Sequence, residues 1–270
     1  MMRIHILAGI SCVALALSAA HAASFIDDKS LNDEQRYSRC LDLAKSDPDN
    51  AYELALAWHD AGGGPGAIHC SAVALIQLKH FDAAATKLDL LARERDTGDA
   101  DMRVQLLDQA GTAWLLAGQP ENALASFSAA INLGNADSDL LSDRARAYAM
   151  VKNWAGAESD LTKALARDQY RADLLVLRGS ARHAMGHKAD ALADFNQALD
   201  MDPHYADALV ERGAMKLEAG DVKGARADWQ VILATQPRSP AADEARQRIE
   251  QLELNLKKPA PPKKPAPTHH

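Results

Sequence analysis

The stretch ADLLVLRGSARHAMGHKADALADFNQALDMDPHY, residues 172–205, decides the fold of this chain. Small residues such as Gly179 recur along both halves at helical spacing, and the large Phe195 lies among those of the second half. Gly186 stands between the halves and separates one helix from the next. Pro203 prevents the second helix from continuing. The stretch therefore predicts two antiparallel helices joined by a tight turn.

The same pattern returns with a period of 34 residues on both sides of this stretch. Position 8 of each repeat is Ala or Gly, position 20 is Ala, and position 24 is Leu, Phe or Trp. Small residues at positions 8 and 20 let the two helices approach closely, and the bulky residue at position 24 fills the space beside them. The repeats are 65–103, 104–137, 138–171, 172–205 and 206–239, and the first has five extra residues in its closing loop.

This pattern strongly resembles the tetratricopeptide repeat (TPR) family, whose unit is a helix-turn-helix of 34 residues. The resemblance covers 104–239 without gaps and 65–103 with the inserted loop. Two repeats depart from it, because Asn135 and Gln169 stand where a closing proline is expected. The resemblance implies an all-α, right-handed α-solenoid, since each helix pair buries its apolar face only against its neighbours.

Further segments flank the five repeats. Residues 24–64 predict two helices, a degenerate repeat that caps the array, and residues 240–256 predict an amphipathic capping helix. Residues 257–270, KKPAPPKKPAPTHH, contain too much proline for a helix and predict a disordered, solvated tail of polyproline II character. We consider four interpretations of the tail: a passive segment, a contact with an anionic envelope surface, a linear motif for a partner, or a contact with the acidic repeats.

Residues 1–23 predict a secretory signal peptide. Arg3 precedes a short apolar run, and AHA at 20–22 is a small-residue cleavage pattern. The run falls short of the roughly 20 residues that a spanning helix needs, which disfavours an uncleaved membrane anchor. Cys12 lies inside the run, which disfavours lipid attachment there. We therefore expect a periplasmic or otherwise exported protein in a bacterial cell envelope.

The charge distribution bears on the class of partner. The whole chain has a formal net charge of −7, and residues 24–256 carry −12, because the signal holds one basic residue and the tail four lysines. An acidic body argues against binding to nucleic acid. No nucleophile-base set, phosphate loop or zinc motif occurs, and the repeats use nearly all of the mature chain. We therefore expect a protein without enzymatic activity, cofactor, metal or small-molecule substrate.

Two cysteines, Cys40 and Cys70, remain after the predicted signal. In an exported protein they indicate one disulfide, which would join the N-terminal cap to the first repeat. Its alternatives are a metal site, reactive thiols or unpaired burial. His59, His69 and His80 lie in the same region, but no CxxC or HxxxH spacing occurs among these residues.

Charged residues at positions 7 and 23 form a second repeating pattern. Arg at position 7 and Asp at position 23 occur together in the last three repeats, and neither occurs in the first two. These positions lie on facing helices, so they predict an Arg–Asp pair that locks each helix hairpin. A row of arginines that grips an acidic ligand is the alternative, and it is disfavoured because each arginine has its own acid. The predicted pairs are Arg144–Asp160, Arg178–Asp194 and Arg212–Asp228.

The resemblance also implies a function. TPR arrays bind peptides or partner proteins in a concave groove lined by the first helix of each repeat, so we expect a scaffold or adaptor for a protein or peptide partner. Positions 2, 5, 9 and 12 would line this groove, and they lack the Lys/Asn clamp that some members use for a C-terminal carboxylate. The predicted groove residues are Gln105, Asp108, Thr112, Asp139, Ser142, Arg146, Asp173, Ser180, His183 and Asp207.

The aspartates among these residues favour a neutral or basic peptide, whereas Arg146 and His183 suit an acidic or polar group. Two other functions remain open at this point. One is a metal- or thiol-dependent accessory protein that uses the Cys40/His59/His69/Cys70 region. The other is a regulatory subunit of an envelope enzyme.

Overall fold

A computed structural model describes residues 31–94, 97–134 and 136–257, with side chains as far as residue 254. The predicted signal peptide, residues 1–23, and residues 258–270 of the predicted tail 257–270 lie outside the described residues. The described part of the chain consists of helices and short connections, without a β-strand. The predicted all-α class is confirmed. Among the described residues, no helix is both long enough and apolar enough to cross a bilayer.

The described part of the chain divides into two compact units, with the boundary between Asp160 and Leu161. Thirteen helices lie in the described residues, and α8 begins in the first unit and ends in the second. They are α1 (Asp33–Ser46), α2 (Pro48–Asp60), α3 (Gly64–Gln77), α4 (Phe81–Arg93), α5 (Ala100–Leu116), α6 (Pro120–Leu133), α7 (Ser138–Met150), α8 (Trp154–Arg167), α9 (Ala172–Ala184), α10 (Lys188–Met201), α11 (Ala206–Glu218), α12 (Val222–Thr235) and α13 (Pro240–Lys257).

The N-terminal unit begins with a hairpin that is stapled to the next helix. The Asn32 side chain caps α1 by accepting a hydrogen bond from the backbone N–H of Gln35, and the Gln35 side chain accepts one in return. The helices α1 and α2 pack against each other and against α3 around a core that includes Trp58. Cys40 on α1 and Cys70 on α3 form a disulfide inside this core.

The remaining helices of each unit follow the same plan. In the N-terminal unit α3 packs on α4, α5 packs on both α4 and α6, and α7 packs on α6 and α5. In the C-terminal unit α9 packs on α10, α11 packs on α10 and α12, and α13 covers α12 and α11. Each of these helices therefore contacts at least one helix of its own or the neighbouring hairpin, as expected for helical repeats.

Close helix approach depends on a match between positions 8 and 24. A Cβ atom added to Gly179 would lie 2.6 Å from Cε1 of Phe195, too close for any side chain at that position. The same conflict arises between Gly213 and Trp229. Glycine is thus required wherever position 24 is aromatic, and the repeats with Ala72 and Ala145 at position 8 have leucine at position 24.

The turn between the two helices of a repeat uses a left-handed residue at position 15. Glycine supplies it in three repeats, where φ is +71° at Gly118 and +83° at both Gly186 and Gly220. Lys79 and Lys152 adopt the same conformation, with φ of +62° and +59°. These two lysines carry the steric cost of a Cβ atom in a region that favours glycine.

Candidate functional site

A cavity of about 420 Å³ opens in the N-terminal unit where the first helices of consecutive hairpins lie side by side. Tyr37 of α1, His69 of α3 and Gln109 of α5 line its polar side. Leu91, at the end of α4, lies on the apolar side with Met102 and Leu106 from the start of α5. Gln105, between these two residues of α5, also lines the cavity. The volume falls in the range typical of binding pockets.

A chain of hydrogen bonds fixes the polar wall of this cavity. His69 Nε2 lies 2.9 Å from Oε1 of Gln109, and His69 Nδ1 lies 2.7 Å from the hydroxyl of Tyr37. A neutral ring that donates from Nε2 and accepts at Nδ1 satisfies both contacts. Burial lowers the pKa of His69, against the opposing effect of the Gln109 hydrogen bond, which agrees with a neutral ring. Three first helices are thereby held in register around the cavity.

An acidic cluster adjoins the cavity on α5 and α7. Asp108 is the neighbour of Gln109 and lies one helical turn from Gln105. Burial, together with the negative charges of three other aspartates, raises the pKa of Asp108 from 3.8 to about 6. Its Oδ1 atom is buried and accepts no hydrogen bond from the described residues. The three other members of the cluster are Asp137, Asp139 and Asp143.

Not all of the predicted groove residues of the N-terminal unit are accessible. Thr112 and Asp139 are exposed. Arg146 is also exposed, but its Nη1 atom already lies 3.2 Å from Oδ1 of Asp143. Ser142 is only 3% exposed, so it offers no surface to a partner. The prediction for Ser142 is therefore corrected: its own side chain is buried, although Asp139 and Arg146 on the same face of α7 are exposed.

In the C-terminal unit two of the four predicted groove residues, Asp173 and His183, are engaged by other charged side chains. Arg171 holds Asp173 at 2.8 Å, and its hydrogen bond lowers the pKa of that carboxyl. His183 and Lys188 both contact Glu218, at 3.1 and 3.0 Å. Ser180 is half-buried and Asp207 is exposed. Sequence reasoning missed Glu211, whose pKa is raised mainly by burial.

The arginine–aspartate pairs lie inside the hairpins. Each arginine donates from Nε and Nη2 to the two oxygens of its aspartate, and the aspartates are 2 to 7% exposed. The six donor–acceptor distances lie between 2.7 and 3.0 Å. Such burial favours the interpretation as helix locks over the row of arginines that grips a ligand. The pairs are Arg144–Asp160, Arg178–Asp194 and Arg212–Asp228.

These locks also reach neighbouring hairpins, which sequence reasoning missed. Arg212 Nη1 donates to Oδ1 of Asn196 at 2.9 Å, so one guanidinium joins α10, α11 and α12. In the repeat 104–137, which has no such pair, Asp89 of the preceding hairpin takes the role of the acid. It accepts hydrogen bonds from Trp114 Nε1 at 2.7 Å and from Ser126 Oγ at 2.9 Å.

The cysteine and histidine region is arranged around the disulfide. The Cα atoms of Cys40 and Cys70 lie 6.2 Å apart, within the ordinary range for such a bond. His69 belongs to the cavity wall, whereas His59 and His80 are exposed. No three His, Cys, Asp or Glu side chains converge as a metal site anywhere in the described ranges.

Comparisons with known proteins agree with the helical-repeat class that these hairpins define. No family model and no curated protein matches the chain. Among solved structures, a crystal structure of MamA is 17% identical, with 67% of this chain and 96% of that chain covered at a TM-score of 0.54. MamA 41-end from Desulfovibrio magneticus RS-1 is 16% identical, with 72% and 97% covered at a TM-score of 0.54. The fold of this chain is that of a tetratricopeptide repeat protein.

Proposed function

We propose that this chain is an exported, non-enzymatic scaffold of a bacterial cell envelope that binds an extended segment of a partner protein. The binding surface is the first-helix face of the N-terminal unit, defined by Tyr37, His69, Gln105, Asp108 and Asp139. The observation that carries the proposal is the cavity in this face, with an acidic cluster directly beside it.

The shape of this face suits an extended chain. The cavity takes one or two side chains, and the exposed Gln105 at its rim offers an amide to the backbone of a bound segment. The exposed side chains of Thr112 and Asp139 continue the face beyond the cavity. A bound segment can therefore insert one anchor and keep its remaining residues on a polar surface.

Site-specific photo-crosslinking tests this proposal. A photoreactive amino acid at Gln105 should capture one partner in cells of the source bacterium, because this position lies at the cavity rim. The same amino acid at Ala125, exposed on the second helix α6, is the matched control and should capture none. A variant lacking residues 257–270 should retain the capture. Equal capture from both positions, or capture that requires the tail, would contradict the assignment to this face.

The envelope location has a separate test. Cell fractionation followed by N-terminal sequencing should find the protein in the periplasm, with Ala23 or Ser24 as its first residue. A cytoplasmic protein that retains Met1 would exclude export without excluding the scaffold.

A further inference from the structure

We propose that the partner segment is cationic and amphipathic, with a large apolar side chain in the cavity and a Lys or Arg against Asp108 two residues away. This inference rests on the proposed function and adds the chemistry of the bound segment. It is carried by three features of the N-terminal unit: the apolar wall, the buried Oδ1 atom of Asp108, which accepts no hydrogen bond from the described residues, and the spacing between them.

The apolar wall accounts for the anchor. Leu91 and Leu106 line the cavity and are 1% and 4% exposed, so they form a fixed apolar floor. Met102 lines it too and is 49% exposed, which places an unbranched, adaptable side chain at the rim. An apolar side chain that enters the cavity removes its own surface and part of the exposed Met102 side chain from water.

The acidic cluster accounts for the cation. The buried Oδ1 of Asp108 accepts no hydrogen bond within the described part of the chain, although a buried carboxylate oxygen is normally paired. Asp137, Asp139 and Asp143 add negative charge around it. A Lys or Arg side chain would supply the missing donor and offset the repulsion among the four carboxylates.

The charge of the surroundings favours the same ligand. Residues 31–160 contain 20 acidic and 11 basic residues, a net charge of −9. Arg146, on the same helix as Asp139 and Asp143, is paired with Asp143. Arg103, beside the cavity-lining Met102, donates from Nε to the backbone carbonyl of Ala92. An acidic segment would meet repulsion here, so charge complementarity selects a basic one.

The spacing between the two features sets the order of residues in the ligand. Gln105 at the cavity and Asp108 in the cluster are three residues apart on α5, roughly 5 Å along the helix axis. An extended chain advances about 3.3 Å per residue, and alternate side chains point to the same side. The anchor and the cation therefore belong on residues i and i+2, in either direction along the bound segment.

Selection from a library of random 12-residue peptides tests the inference. The mature full-length protein is the bait, and enriched peptides are synthesised with a fluorescein label for anisotropy titration. We expect enriched peptides to carry a large apolar residue and a Lys or Arg two residues from it. Their affinity should fall steeply as salt increases from low to physiological concentration, because a charge contact contributes to binding.

Two variants test separately how the apolar anchor and the cation contribute to peptide binding. Gln105→Trp places a bulky ring in the cavity and should weaken binding of an enriched peptide at least tenfold, and Ala125→Trp is its control. Asp108→Asn keeps the shape and removes the charge, and it should weaken binding about tenfold, with Glu121→Gln on α6 as its control. Thermal melting of each variant verifies that it is folded. Glu121 and Ala125 are both exposed, so the controls should bind normally.

Each outcome has one meaning. Enriched peptides that are acidic, or that bind Asp108→Asn as tightly as the original protein, overturn the cationic ligand and leave the proposed function standing if Gln105→Trp abolishes binding. Peptides that bind normally to Gln105→Trp overturn both proposals. Failure to enrich any peptide above wells without protein also overturns both. Binding of Ca²⁺ or Mg²⁺ alone at Asp108, detected by calorimetry, would replace the peptide cation with a metal ion and overturn the inference.

Discussion

The guanidinium of Arg178 meets the carboxylate of Asp194 through two parallel hydrogen bonds, of 3.0 Å from Nε and 2.7 Å from Nη2. This contact joins α9 to α10, and Arg182 adds a third bond of 2.9 Å to the same carboxylate. The Asp194 side chain is 3% exposed, so water cannot replace these partners. Loss of either side chain would leave its partner buried without its main hydrogen bonds, so the stability of this hairpin depends on the pair.

Replacement of Asp194 by Ala should lower the free energy of unfolding by about 3 kcal/mol, because it leaves Arg178 and Arg182 with their main acceptor missing in a mostly buried place. Urea denaturation of the mature protein measures the change. Arg146→Ala removes the exposed pair with Asp143 and should cost less than about 0.5 kcal/mol. Similar losses from the two variants would show that burial does not set the strength of the Arg178–Asp194 pair.

Gly179→Ala should destabilise the C-terminal unit by about 1–3 kcal/mol, since the new Cβ atom would overlap the Phe195 ring. The second change Phe195→Leu recreates the Ala/Leu combination of other repeats, so it should recover part of this loss. A double-mutant cycle on denaturation midpoints measures the coupling between the two positions. Strict additivity of the two changes would contradict the steric match between positions 8 and 24.

The sequence was sufficient to predict the helix hairpins but not to predict the cavity. Repeated glycine, alanine and aromatic positions report on neighbours within one hairpin, where spacing along the chain fixes the contact. Tyr37, His69 and Gln109 come from three different hairpins, so only packing brings them together. Asp108 was predicted to line a groove, but its raised pKa depends on burial and on charges from α7. Ser142 occupies position 5 of its repeat, as Asp108 does, but its side chain is buried and was wrongly predicted to line the groove.

Lys152→Gly should raise the free energy of unfolding by about 0.5–1 kcal/mol, because glycine adopts a φ of +59° without the clash of a Cβ atom. The greater freedom of glycine in the unfolded chain limits the gain. Thermal and urea unfolding both measure it. Gly186→Ala is the reciprocal change and should be destabilising, so a gain from both variants would contradict this explanation of position 15.

Reduction of the Cys40–Cys70 disulfide should lower stability by roughly 3–4 kcal/mol, the chain-entropy value for a loop of 30 residues. Unfolding with and without reductant, and of the Cys40→Ala/Cys70→Ala variant, measures the change. The effect should concentrate in α1 and α2, detectable as faster amide hydrogen exchange there. Thiol titration of the native protein should find no free thiol from these cysteines, and a full count of two would contradict the bond.

Asp108→Asn should stabilise the protein above pH 6 and leave it unchanged near pH 4. The pKa of Asp108 is raised to about 6 in the folded protein, so the folded state holds this proton more tightly than the unfolded state does. The resulting stabilisation is complete below the usual pKa of 3.8 and is lost as pH rises through about 6. At pH 7.5 the charged carboxylate therefore opposes folding, and Asn removes that cost, by roughly 1 kcal/mol after allowance for solvent screening.

Other carboxyls change stability with pH in the opposite direction, among them Asp173, whose pKa is lowered by its hydrogen bond with Arg171. The informative quantity is consequently the difference between Asp108→Asn and the original protein at each pH, measured by urea denaturation from pH 4 to 8. Glu53→Gln, at an exposed position in the middle of α2, is the control and should give a difference near zero throughout. A pH-independent gain from Asp108→Asn would mean that shape, not charge, limits stability at this position.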